Sequence, residues 1–116
     1  MPNVPTEEYE CLQLVDYLEK LVKQKKVLRY TKIPNETFTK SWKTKIRNKA
    51  QGVRKGFPDY VVVTKWEVLF IEMKKTKGGV VRPEQILWID DLNRAYGNAV
   101  VCKGFEEAKK YIESKL

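Results

Sequence analysis

The sequence predicts an α/β fold, a central mixed β-sheet flanked by helices in the order α-β-β-β-α-β-α. Two observations carry that prediction. Residues 6–25 place Cys11, Leu14, Val15, Leu18, Leu21 and Val22 on one helical stripe. Residues 59–63 and 66–74 are dense in Val, Ile, Leu and Phe on both faces and are parted by a tight turn at Thr64 and Lys65, as suits strands in the middle of a sheet.

The remaining elements follow in chain order. Thr6 is a good N-cap for the first helix, with Glu7 and Glu8 in its first turn. Residues 27–33 alternate in the manner of a strand and stop at Pro34 and Asn35. After a loop at 75–79, Arg82 and Pro83 open a helix that ends near Tyr96 and Gly97, where glycine suits a C-cap. Its inward stripe is expected to hold Ile86, Trp88 or Ile89, and Leu92. Residues 98–102 form a further strand, and Gly104 and Phe105 lead into a short closing helix.

At 116 residues the chain is expected to form a single domain, 1–116. The 23 Lys and Arg against 15 Asp and Glu leave a net charge of +8, a sign that favours phosphate-rich partners, nucleic acid first. Between 40 and 55 stand Lys40, Lys43, Lys45, Arg47, Lys49, Arg54 and Lys55, with Trp42 among them and no acidic residue. This segment is expected to be a basic loop that grips DNA through its backbone, with Arg82 extending the groove.

Several classes of function are excluded. With no histidine, a zinc site built on imidazole, a Ser-His triad and an imidazole base all fall away. Cys11 and Cys102 sit among apolar neighbours without metal or redox spacing, and are expected to be buried thiols. No apolar run reaches the roughly 18 residues of a membrane span, and the first residues show neither a basic leader nor a signal core, so a soluble, cytoplasmic protein is expected. The chemistry left is that of carboxylates, lysines, hydroxyls and a hard cation.

Central strands disfavour charge, because an isolated ion taken out of water costs several kcal/mol, about enough to make it shed its charge instead. Yet Asp59, Glu72 and Lys74 stand in the two most apolar segments. Glu72 and Lys74 share one face of their strand, while Leu69, Ile71 and Met73 share the other. Antiparallel pairing across the Thr64–Lys65 turn brings Asp59 within reach of Glu72. Two clustered carboxylates repel unless a cation joins them, and Mg²⁺ or Mn²⁺ with oxygen ligands meets that need.

Pro58-Asp59 followed by Glu72-Met73-Lys74 resembles the PD-(D/E)XK nuclease signature. Gly56-Phe57 before it, then Phe70-Ile71, Gly78-Gly79, Pro83-Glu84-Gln85, Trp88-Ile89, Leu92, Gly97 and Val101-Cys102-Lys103-Gly104 with Glu107-Ala108 make the whole similar to a stand-alone VRR-NUC domain of the phage or prophage type. Phe57 departs from the pattern, where small aliphatic residues are commoner.

That resemblance implies a restriction-endonuclease-like core in which Asp59, Glu72 and the Met73 carbonyl hold Mg²⁺ or Mn²⁺ and Lys74 orients or activates the attacking water. It also implies a role for Gln85 and for a glutamate early in the first helix. Glu7 fits best, because Leu14, Val15 and Leu18 follow it on the inward stripe, and Glu8 and Glu10 stay open. The expected activity is metal-dependent hydrolysis of phosphodiester bonds in branched DNA such as four-way (Holliday) junctions, by a homodimer, in the cytoplasm of a bacterial host. Two alternatives remain at this level: a catalytically silent basic DNA- or RNA-binding module, and a nuclease for single-stranded or flap substrates.

Overall fold

Two antiparallel pairings and one parallel pairing build a four-stranded sheet of order β1-β2-β3-β4, in a computed structural model that describes residues 4–34 and 41–116. The chain runs α1 (Glu7–Lys23), β1 (Val27–Lys32), α2 (Trp42–Ala50), β2 (Tyr60–Thr64), β3 (Val68–Lys74), α3 (Pro83–Ala95), β4 (Ala99–Lys103) and α4 (Phe105–Glu113). The two most apolar strands are the inner pair, as their composition requires.

Side-chain alternation divides β3 between two environments. Leu69, Ile71 and Met73 point toward α1 and α4 and join Leu14, Leu18, Leu21, Tyr60, Val62, Ala108 and Ile112 in one core. Phe70, Glu72 and Lys74 point to the opposite face, where α3 lies. Phe70 packs edge-to-face on Phe57 and Tyr96 there.

Local chemistry sets the helix ends. Thr6 Oγ1 accepts from Tyr9 N at 3.0 Å, which starts α1 as its N-cap position predicts. α3 begins with Pro83 in its first turn, and Gln85 Oε1 accepts from Arg82 N at 2.9 Å, satisfying a donor the helix leaves unpaired.

Three expectations need correction. The basic segment is not a continuous loop: Trp42–Ala50 forms α2, capped by Ser41 Oγ accepting from Thr44 N, so the order is α-β-α-β-β-α-β-α. None of the residues of α2 is buried, which is why no apolar stripe announced it. Ile86 does not join an inward stripe and is 47% exposed; the apolar residues that α3 half-covers are Trp88, Ile89 and Leu92, further along the helix. Glu7 is not covered either, although Cys11 and Leu14 follow it on the buried stripe. It is exposed at the first position of α1, and the acid that α1 buries is Glu10.

Candidate active site

The residues of the candidate site are brought together by register. Tyr60 pairs with Ile71 at the end of the β2–β3 ladder, so Asp59, one step further, stands across from Glu72 on the α3 face. The approach to Asp59 is fixed by packing: Pro58 is fully buried, Phe57 stacks edge-to-face on Trp88 at 5.0 Å, and Asp59 O accepts from Ile33 N at 2.7 Å. Gly56 makes this path possible. Its φ is 94°, and a Cβ there would sit 2.7 Å from the Glu84 backbone, so only glycine passes the start of α3.

Asp59 Oδ2 accepts from Met73 N at 2.9 Å. In a strand the N–H and C=O of one residue point the same way, so the Met73 carbonyl opens toward Asp59, beyond the last β2–β3 pair. Glu72 is 2% exposed. Its Oε2 accepts from Gln85 Nε2 at 3.1 Å and lies 3.5 Å from Lys74 Nζ, while its Oε1 is buried without a hydrogen-bond partner. Gln85 thus spends one end of its amide on the α3 cap and the other on Glu72.

Electrostatics reflect the crowding. Burial and then the negative charge of Asp59 push the Glu72 carboxyl up to about 8, and Lys74 offsets only part of this. A buried carboxylate with an orphaned oxygen next to a second acid is suited to share a hard cation. Among the described residues no group of three His, Cys, Asp or Glu side chains converges, so the acidic centre is a pair plus a backbone carbonyl.

Glu7 makes no hydrogen bond to this pair. Its charge, with that of Asp59, adds to burial in raising the Cys11 thiol, one turn further along α1. Glu10 serves elsewhere: its two oxygens accept from Thr76 N, Thr76 Oγ1 and Phe105 N at 2.9–3.2 Å, tying α1 to the chain after β3 and to the start of α4. The four-residue spacing of Glu10, Leu14 and Leu18 is the sequence signal that Glu10 faces inward. Cys11 and Cys102 are both buried and unbridged.

The basic residues separate into groups. Lys45, Lys49, Arg54 and Lys55 line an open cleft between α2 and α3, together with Asn48, Val53, Glu84, Leu87, Trp88 and Asp91. Lys43 and Arg47 are exposed on α2 outside that lining, and Arg82 is exposed at the N-cap of α3. Lys40 lies outside the described residues. No helix among the described residues is long and apolar enough to cross a membrane.

Comparisons with known proteins bear on the fold and the family. Among solved structures, one described as a VRR_NUC domain protein superposes with a TM-score of 0.75 at 20% identity, over 97% of this chain and 89% of that one. A second, described as a VRR_NUC domain, gives 0.62 at 20% identity, over 97% and 100%. At such identity the likeness establishes the fold. No curated protein matches the chain. The family model of the VRR-NUC domain matches residues 5–106, which take in Asp59, Glu72, Lys74 and Gln85, and the chain therefore belongs to the VRR-NUC domain family, a nuclease-type domain.

Proposed function

We propose that the protein is a metal-dependent endonuclease of the PD-(D/E)XK type that hydrolyses phosphodiester bonds in branched DNA, four-way junctions above all, as a homodimer. The observation that carries the reading is the orphaned, buried Oε1 of Glu72 beside Asp59. Asp59, Glu72 and the Met73 carbonyl supply the hard oxygen donors for Mg²⁺ or Mn²⁺. When bound, such an ion polarises the scissile phosphate and lowers the pKa of its water.

The chain's own residues do the rest. Lys74, buried and held 3.5 Å from Glu72, places a fixed positive charge where negative charge develops on the phosphate, and orients the attacking water. Gln85 holds Glu72 Oε2 and thereby fixes the carboxylate, leaving Oε1 free for the ion. Lys43, Lys45, Arg47, Lys49, Arg54, Lys55 and Arg82 supply backbone contacts. Cutting both strands of a junction symmetrically requires paired sites, and Ile86 leaves apolar surface on α3 for a two-fold contact.

Labelled duplex, flap and four-way junction DNA, each incubated with Mg²⁺, Mn²⁺ or EDTA, test the reading. Junction cleavage in either metal and none in EDTA is expected; cleavage in EDTA, or none in any condition, overturns it. Sedimentation at micromolar concentration with and without a junction tests the dimer, which a monomer in both conditions removes.

A further inference from the structure

The cleft between α2 and α3 has a composition that duplex contact does not explain. It encloses about 880 Å³, within the size of ligand clefts generally. Its cations, Lys45 and Lys49 on α2 with Arg54 and Lys55 after it, suit phosphates. Its remaining lining is of another kind: Val53, Leu87 and Trp88 form an apolar floor, and Asn48, Glu84 and Asp91 present hydrogen-bonding edges.

A duplex backbone offers phosphate and sugar to such a surface, and Glu84 and Asp91 repel phosphate. An exposed nucleobase matches what is there. Its flat apolar face suits the floor, and its ring and exocyclic amino groups donate to carboxylates. Trp88 is pinned in place: its Nε1 donates to Lys55 O at 2.9 Å and its ring stacks edge-to-face on Phe57, while Gly56 lies against Glu84 beside it. The two signs of charge are not spent on each other. Among the described residues no ion pair joins Glu84 or Asp91 to the four cations, and Asp91 meets only Arg94, at 3.9 Å.

The opposite wall calls for an anion. α2 buries no residue, and it sets Lys43 above Arg47 and Lys45 above Lys49 at the repelling i,i+4 spacing. A strand phosphate between Lys45 and Lys49 relieves that repulsion. Leu87, 63% exposed, is left as open apolar surface beneath it.

We propose that the cleft between α2 and α3 receives an unpaired nucleotide of the DNA substrate, its base laid on Val53, Leu87 and Trp88 and its phosphates on Lys45 and Lys49. The proposal rests on the reading of DNA as substrate. It specifies a substrate with a base out of the stack, as branch points and splayed ends provide, and Gly56 and Glu84 link the cleft to the Asp59 approach.

The test is binding in EDTA, where nothing is cut. The probes are a splayed-arm DNA with 2-aminopurine at its first unpaired position and a fully paired duplex of equal length. The native protein is expected to favour the splayed DNA and to quench the 2-aminopurine. Leu87→Ser removes apolar floor without adding charge, and is expected to cost about fivefold in affinity for the splayed DNA and under twofold for the duplex, with the quench reduced. Val53→Ser repeats the test from the other side. Equal losses on both DNAs, no loss on either, or an unchanged quench in both variants overturns the proposal. Failure of the endonuclease reading appears separately, as absent cleavage by the native protein in Mg²⁺ and Mn²⁺.

Discussion

Two buried glutamates on opposite sides of the sheet show how differently this molecule uses a carboxylate. Glu10, on the α1 side, is 6% exposed and has both oxygens engaged by Thr76 and by the Phe105 N–H. Glu72, on the α3 side, is more deeply buried, faces a second acid and keeps one oxygen without a partner. The surroundings follow the same division. α1 and α4 bury Leu14, Leu18, Ala108 and Ile112 completely against the sheet, each large side chain worth about 1.5–3 kcal/mol, whereas α2 and α3 contain no buried residue. One face therefore carries the stability and satisfies its polar groups; the other tolerates an unsatisfied acid because the fold does not depend on it.

The largest expected effect falls on the unsatisfied side. Asp59→Ala and Glu72→Ala should each lower single-turnover cleavage about 10³-fold or more, since several kcal/mol of charge stabilisation leave with the ligand. Both variants should stay folded, the relief of repulsion between the acids offsetting part of what is lost with the partners of Met73 N, Gln85 and Lys74. Full cleavage by either purified variant breaks the comparison. Glu10→Ala should do the reverse. It strands the Thr76 and Phe105 N–H groups and costs about 2–4 kcal/mol, a drop of roughly 10 °C or more by calorimetry. An unchanged melting temperature would show that the knot around Gly104, where a Cβ would lie 2.7 Å from Glu10 Oε1, contributes no stability.

A smaller effect is written in pH. The Glu72 carboxyl, raised from 4.5 to about 8 by burial and then by Asp59, binds a proton in the folded chain that the unfolded chain releases across that window. Its contribution to stability is therefore fully present below 4.5 and is lost as pH rises to about 8. The metal-free protein should melt lower at pH 8 than at pH 5 by several degrees, and Glu72→Gln should flatten that difference. Divalent metal must displace the same proton, so calorimetric affinity for Mn²⁺ should climb with pH and level off near 8. A metal affinity independent of pH between 5 and 8 would assign the proton elsewhere.

What the sequence made legible follows the same boundary between faces. Strand alternation placed Leu69, Ile71 and Met73 against one layer and Glu72 and Lys74 against another, and counting back from the Thr64 turn brought Asp59 to Glu72. Those features depend on short-range periodicity, which burial enforces. α2 was invisible for the same reason: its helical period is written in Lys45, Asn48 and Lys49, none of them buried, and a polar run reads as loop. Glu7 and Glu10 are three residues apart and both compatible with the α1 stripe; which of them lies under cover depends on where α4 and the chain after β3 end. The α2–α3 cleft joins segments about 40 residues apart, and no local pattern reports a gap between them.

The smallest effect on the fold is expected from α2 itself. Because α2 buries nothing and sets like charges against each other on two sides, replacing Lys43, Lys45, Arg47 and Lys49 together by alanine removes charge without opening a cavity, and alanine is the better helix former. The melting temperature should move by less than about 2 °C. DNA binding should weaken on every sequence, and each phosphate that α2 no longer neutralises should reduce the slope of log K against log salt by roughly 0.9. Which DNA suffers most separates the two roles of this segment. Lys45 and Lys49 line the cleft, so their pair alone should weaken splayed DNA more than duplex, while the Lys43 and Arg47 pair should weaken both alike. An unaltered salt slope in the fourfold variant would leave α2 a solvated helix with no part in binding, and would confine nucleic-acid contact to Arg54, Lys55 and Arg82.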